Sequence, residues 1–380
     1  MDKKTGLVVF TGVTGETKPE ARLNRGLIAN TIDILEKTKS ISDIDKQVLV
    51  TNSNELQELE ASRFPKLAVE KSSEDFHFGE SLYEVINGFG FDAVLYVGGG
   101  SAPLLKEADF KKLARFLVSH PESSISNNFY SSDMIGFRPA ERLLDLKIPK
   151  RDNELGWLTR DGGLTPYELE RSARTQLDMD SPIDLLPLKL SDDIEGELAE
   201  YVSSLDWGNP RIKELTEQFT DQDSRLVLFG RVGAKTFSYL EENAACHVDV
   251  FSEGRGSYSG EVEGLKPSIG GSLLERGGPE ELIELLTDQG TGLFLDTRVL
   301  FHYMGKWPSP EDRFSSDLME PTKIDTPYLK ILTRAALESD TPVVLGGHSI
   351  LSGSLYLLTD LSWKLSEPKS VNVRPKIFEL

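Results

Sequence analysis

Two kinds of hydrophobic pattern alternate along the chain. Short apolar runs, "GLVVFTG", "KQVLVTN", "KLAVEK" and "DAVLYVG", predict buried strands. Between them the apolar residues recur at helical spacing. "RLNRGLIANTIDILEKTK" sets Leu27, Ile28, Ile32 and Leu35 along one side of a helix. "NELQELEAS" reads as a short helix, "FGESLYEVINGFG" as a helix closed by glycines, and Glu107 to Ser119 as a further helix. "SSISNNFYSSDMIGF" reads as one or two strands. This alternation predicts an α/β fold with a mainly parallel sheet and helices on both faces. Ligands in such sheets bind beyond the carboxyl ends of the strands. The turns after "VVF", "VLVTN" and "LYV" would share that edge.

An acidic stretch from Ser191 to about Pro210 ends in "WGNP", and the alternation then resumes. "RLVLFG", "HVDVFSE", "GLFLDTRVLF" and "PVVLGG" read as strands. "AKTFSYLEENA", "PEELIELLTDQG", "TPYLKILTRAALES" and "SLYLLTDLSWKL" read as helices. A chain of 380 residues exceeds the size at which one core keeps growing. Two α/β domains are therefore expected, 1–195 and 196–380. The tail after Ser366, with two prolines, is expected to lie over the surface.

Charge narrows the partners. Lys and Arg total 42 against 62 Asp and Glu, a formal net charge of −20. Such a surface repels nucleic acid and anionic membrane. A small phosphorylated ligand remains compatible, because local cations, helix N-termini or a metal can bind it. No run of eighteen apolar residues exists to span a bilayer. The opening "MDKKTGLVVF" enters a strand at once, so a cytoplasmic protein is expected. The single cysteine, Cys246, cannot close an internal disulfide and reads as a buried apolar residue. Self-association into a homo-oligomer is left open.

Candidate chemistry in the first half lies in three places. In "FTGVTGETKPEARLNRG", Gly12 and Gly15 permit a tight turn, and Lys18, Arg22 and Arg25 follow at the helix start. The arrangement suits a triphosphate, although it lacks Walker A spacing. In "GGGSAPLL", Gly99, Gly100 and Ser101 could cradle a ligand through backbone N–H groups. In "LDMDSPIDLLPL", Asp178 and Asp180 on an extended segment would point the same way and could share Mg²⁺. Ser181 or Asp184 would cap the helix that follows.

Taken together, these stretches resemble the nucleotidyltransferase-like α/β fold, over roughly Gly6 to Leu188. The nearest types are the molybdenum-cofactor nucleotidyltransferases and the 2-phospho-lactate guanylyltransferase type, with "DMDSPIDL" the most specific match. The resemblance implies an enzyme that joins a nucleoside triphosphate to a small phosphorylated acceptor, with Mg²⁺ as cofactor. It would place Gly12, Gly15 and Lys18 against the triphosphate, with Arg22 as a second cation. Thr51 and Asn52 would lie near the base, and Asp180 would be the late metal ligand. Two features depart from the family. The first loop lacks two adjacent glycines followed by arginine and lysine. The turn after the fourth strand lacks its usual metal-binding aspartate; Asp133 and Asp152 are the candidates to replace it. A degenerate fold that binds a nucleotide or phosphosugar without transferring it is the alternative.

The second half gathers polar residues after three strands. "FLDTRVLFHYMGKWPSPEDRFSSDL" contributes Asp296, Arg298, His302, Asp312, Arg313, Ser316 and Asp317. "VVLGGHSILSG" contributes His348, Ser349 and Ser352, and "FSEGRGSYSG" contributes Glu253 and Arg255. Asp296, His302 and His348 could hold a divalent metal. Arg255, Arg298 and Arg313 could instead clamp a phosphate or carboxylate. Metal- or arginine-assisted chemistry in this half is the third alternative. A serine hydrolase is set aside, because Leu351 stands where the nucleophile elbow needs glycine and no histidine follows Ser349.

Overall fold

The computed structural model describes residues 4–73, 75–254 and 267–366. The chain divides into two compact units. The first gathers the residues up to Gly15, Asn24–Asp178 and Asp193–Tyr201; the second gathers Glu16–Leu23, Met179–Asp192 and the residues from Val202 onward.

The first unit is built on a seven-stranded sheet. Its strands are β1 (Thr5–Thr11), β2 (Lys46–Thr51), β3 (Leu67–Lys71), β4 (Ala93–Gly98), β5 (Ser123–Ser126), β6 (Met134–Arg138) and β7 (Thr165–Glu168), in the order β3-β2-β1-β4-β6-β5-β7. β1, β2, β3 and β4 pair in parallel, β6 runs antiparallel to both β4 and β5, and β7 is parallel to β5. Alternate residues of the strands feed opposite faces. Leu7, Val9, Leu49, Leu95 and Val97 pack with Ile28, Ile32 and Leu35 of the helix Lys18–Thr38 and with Phe110 and Leu113 of the helix Glu107–Ser119. Val8, Phe10, Val48, Val94 and Tyr96 pack with Phe78, Leu82 and Val85 of the helix Phe78–Phe89. The expected mainly parallel sheet with helices on both faces is present. β7, which the apolar pattern does not mark, is an exposed four-residue edge strand.

A buried carboxylate fixes the segment Asp193–Tyr201 to this unit. Asp33 accepts the amides of Glu197 (2.7 Å) and Leu198 (2.9 Å), two of the orphan donors of a helix start. Gly196, at φ 80°, makes room, since a Cβ there would lie 2.1 Å from the Asp33 carboxylate.

The second unit is a four-stranded, all-parallel sheet. β8 (Arg225–Gly230), β9 (His247–Ser252), β10 (Gly292–Asp296) and β11 (Val343–Gly346) follow the order β11-β10-β8-β9. The stretch "GLFLDTRVLF" is not one strand, as the apolar pattern predicts. β10 stops at Asp296 and a helix runs Arg298–Met304. The Asp296 carboxylate accepts the Arg298 amide two residues on (3.1 Å), which turns the chain out of the sheet.

Candidate functional site

Strand polarity brings the candidate chemistry of the first unit to one edge. β1, β2, β4, β5 and β7 all end there, and the antiparallel β6 begins there. Asp133, the residue before β6, therefore arrives beside the end of β4, and the Gly98 amide donates to its carbonyl (3.0 Å).

At this edge Tyr96 of β4 is 2% exposed. Phe10 and Phe78 meet its ring edge-to-face with centroids 5.5 and 5.3 Å away. Its hydroxyl donates to the Asp152 carboxylate (3.1 Å). Burial, and then the negative charges of Asp152, Asp133 and Asp178, hold the phenol well above its ordinary value. Tyr96 is thus a neutral donor with three carboxylates around it. Each carboxylate has a fixed support. Asp133 receives Asn127 Nδ2 (3.3 Å) and Asn153 Nδ2 (3.4 Å). Asp152 receives the Asn153 amide (2.9 Å). Asp178 receives the Ser101 hydroxyl (2.8 Å), across an isolated antiparallel bridge between the two residues. Among the described residues no three His, Cys, Asp or Glu side chains close into a metal cage. The donor set fits an ion that takes one or two carboxylates and leaves its other positions for ligand oxygens.

The glycine turn after β4 is held by the protein itself. The Gly99 amide donates to the Phe10 carbonyl (2.9 Å) and the Ser101 amide to the Gly98 carbonyl (3.0 Å). The carbonyls of Gly99 and Ser101 both accept from the buried Asn30 side chain (2.8 and 2.9 Å). A Cβ on Gly99 would lie 2.3 Å from Thr11 Oγ1, so glycine is required there by the approach to β1. The first loop is braced in the same way. Asn52 accepts from the Val13 amide (2.8 Å) and donates to the Val13 carbonyl (2.9 Å). Asn24 accepts the Thr14 amide (3.1 Å) and donates to the Gly15 carbonyl (3.2 Å). Gly12 and Gly15 are exposed, and the space at the Gly12 Cβ position is open. Thr51 is buried, and its hydroxyl accepts the Ser53 amide (3.0 Å). Asn52 and Thr51 thus serve loop geometry.

Lys18 and Arg22 fall in the second unit. Lys18 is exposed at the first position of its helix. Arg22 is buried; it pairs with Glu320 (3.2 Å) and lies 4.6 Å over the Trp207 ring. Asp178 and Asp180 are given to different units and take different partners, since Asp180 accepts from the Ser349 hydroxyl (3.0 Å). Asp184 accepts the amides of Asp180 (3.1 Å) and Ser181 (2.8 Å), so of the two expected caps the carboxylate is the one that serves.

The polar residues of the second half do gather at the carboxyl edge of their sheet, but mainly as buried ion pairs. Arg231, just after β8, grips Asp296 at the end of β10 (2.5 and 3.1 Å). Burial alone would raise the Asp296 carboxyl. Arg231, then His348 and Arg298, hold it below the ordinary carboxylate range. Arg298 forms a two-pronged pair with the fully buried Asp317 (2.5 and 2.6 Å). Arg313 donates to the Pro308 carbonyl (2.5 Å) and stacks over Trp307; burial and then Arg298 lower its guanidinium to about 10. Asp312 caps the helix Pro327–Glu338 by accepting the Asp325 and Thr326 amides (2.9 Å each). Glu253 receives Ser268 and the Ile269 amide. His302 is buried in the helix Arg298–Met304, and His348 stands in the turn after β11. Arg255 and the tail after Ser366 lie outside the described residues. Cys246 is buried as expected, and burial pushes its thiol up to about 12. A cavity of about 420 Å³ in this unit is lined by Lys189, Trp207, Asn209 and Lys213, and by none of the residues singled out in the sequence.

Tyr96 and Asn30 escape sequence reasoning. Tyr96 is hidden in the apolar run "AVLYVG". Asn30 carries a readable signal: a polar residue on the apolar side of a helix must find partners inside.

No family model and no curated protein matches the chain. Solved structures do, at low identity. A cytidylyltransferase from Leptospira borgpetersenii is 14% identical over 53% of this chain and 94% of its own, with a TM-score of 0.39. A CMP:2-keto-3-deoxy-manno-octonic acid synthetase complexed with CTP is 11% identical over 47% of this chain and 94% of its own, TM-score 0.34. A nucleotidyl transferase from Methanothermobacter is 14% identical over 47% and 93%, TM-score 0.34. Among the described residues no helix is long and apolar enough to cross a membrane.

Proposed function

We propose that the first unit acts as a nucleotidyltransferase, binding a nucleoside triphosphate with Mg²⁺ over the Tyr96 cluster and passing the nucleotidyl group to a small phosphorylated acceptor. One observation carries this reading: Asp133, Asp152 and Asp178 arrive around one buried tyrosine where β4 ends. The usual aspartate of that turn is absent, and Asp133 from the neighbouring antiparallel strand with Asp152 stands in its place. Phosphate oxygens approach carboxylates only with a cation between them. Asp178 with Asp133 or Asp152 would hold Mg²⁺, which neutralises phosphate charge when bound. Ser101 fixes the direction of Asp178, and the Tyr96 proton fixes Asp152. In the reaction an acceptor oxygen bonds to the α-phosphorus and pyrophosphate leaves. The protein's share is positioning and charge. By the "DMDSPIDL" match, the molybdenum-cofactor and 2-phospho-lactate guanylyltransferase types are the nearest within this class.

Titration calorimetry of the full chain with each nucleoside triphosphate, with and without Mg²⁺, tests the reading. Asp178→Asn should abolish Mg²⁺-dependent binding. Triphosphate binding that ignores the substitution, or no binding at all, sinks the proposal. A second reading, binding without transfer, is favoured by the amides of Val13, Thr14, Gly99 and Ser101, all bonded within the protein. Binding without pyrophosphate release across a panel of phosphorylated acceptors would select it.

A further inference from the structure

The cavity of about 420 Å³ in the second unit has no part in the chemistry above, and its size falls in the usual range of small-molecule sites, about 300–1,000 Å³. Its lining comes from two stretches of chain, 186–190 and 205–213. The buried Leu186, Leu205 and Ile212 make it largely apolar. Trp207 adds its ring, which Arg22 holds from one face at 4.6 Å; the Arg22 charge is already taken by Glu320. Three polar side chains in the lining keep donors to spare. Asn209 is 8% exposed, and its Oδ1 accepts the Arg211 amide (3.0 Å), while its Nδ2 has no hydrogen-bond partner. The amide group is planar, so Nδ2 turns away from the helix that Oδ1 caps. Lys189 spends one of its three N–H donors on the Leu205 carbonyl (2.8 Å). Lys213 is exposed. Among the described residues neither lysine has a carboxylate partner, in a chain with 62 acidic residues. Asp206, exposed and likewise unpaired, is the one carboxylate in the lining, so positive charge is in excess.

We infer that this cavity binds a small organic monocarboxylate, its apolar body against Leu186, Leu205 and Ile212 and its carboxylate received by Asn209, Lys189 and Lys213. A buried donor without an acceptor is costly, and a carboxylate oxygen on the Asn209 amide removes that cost. Apolar walls exclude water and strengthen the attraction of the two ammonium groups for an anion. A phosphate is the poorer fit. Phosphate sites draw on free helix amides or an arginine fork. Here the helix Pro210–Gln218 opens on a proline, which has no N–H, and Asn209 takes the amides of Arg211 and Ile212. Arg211 is paired with Glu214 (3.1 Å). The site lies in the second unit and does not rest on the transferase reading.

The test is titration calorimetry of the full chain, without triphosphate, with 3-phenylpropionate as the probe. It should bind. 3-Phenylpropanol, the same body without the charge, and acetate, the charge without the body, should each bind at least about tenfold more weakly. Asn209→Asp keeps an acceptor for the Arg211 amide, and so the helix cap, but replaces the free donor with an oxygen that repels the ligand. It should weaken binding about tenfold or more. Lys213→Gln, an exposed change, should weaken it about two- to fivefold. No binding of 3-phenylpropionate, equal binding of the alcohol or of acetate, or tighter binding of 3-phenylpropyl phosphate overturns the inference. So does an Asn209→Asp variant that folds and binds like wild type. If that variant does not fold, unchanged affinity in Lys213→Gln overturns it instead.

Discussion

Asn30 offers a direct test of what holds the turn after β4. Its side chain is fully buried, and its one amide group donates to the carbonyls of both Gly99 and Ser101. Asn30→Ala removes that donor without adding bulk. Each buried carbonyl left without a donor costs about 1–3 kcal/mol, so a total of about 2–6 kcal/mol is expected for the two. That is a large part of a domain's usual stability of about 5–15 kcal/mol. In urea it should lower the midpoint by about 1 M or more, with the slope unchanged. Asn30→Asp should be no better, because a carboxylate places acceptors against acceptors. Chemical denaturation followed by circular dichroism reads all three proteins. A loss within about 0.5 kcal/mol, the range of an ordinary surface change, would refute the account. Unchanged stability together with lost triphosphate affinity would show that the turn is a ligand cradle after all.

Two further outcomes concern the second unit. Asp317→Ala strands the buried Arg298 guanidinium and should cost about 3–5 kcal/mol, most of it recovered in the Arg298→Met, Asp317→Leu double variant; a loss below about 1 kcal/mol in urea denaturation would mean the pair is solvated. Burial first, and then the Asp180 charge, push the Asp184 carboxyl well above the ordinary carboxylate range. A carboxyl raised in this way stabilises the folded state at acid pH, and the contribution is lost as pH rises through the folded value. Asp184→Asn, which keeps an acceptor for the Ser181 amide, should flatten that alkaline decline in a series of denaturation curves. A decline as steep as wild type would assign it to another group.

Much of the fold is legible because burial writes a simple signal. β1, β2, β4 and the helix Lys18–Thr38 follow from apolar runs and helical spacing alone. The signal fails where a side chain, not burial, decides the backbone. At Asp296 a carboxylate turns an apolar run into a helix, and β7 pairs through an edge with no apolar pattern. The site was legible only in part, and the glycines explain why. In both units a glycine sits where the strand order reverses, between β1 and β4 and between β8 and β10. Ligands gather at such points, so a glycine there invites a functional reading. In the structure each admits a neighbour from the protein instead. Gly99 makes way for Thr11, and Gly230, at φ 128°, makes way for Asp296, whose Cβ would be 2.5 Å from an added Cβ. A glycine in a sequence records that a side chain is not tolerated; it does not record what occupies the space. The carboxylates carry the stronger message, since the charges of Asp152, Asp133 and Asp178 all bear on the Tyr96 hydroxyl, which donates to Asp152 where β4 ends.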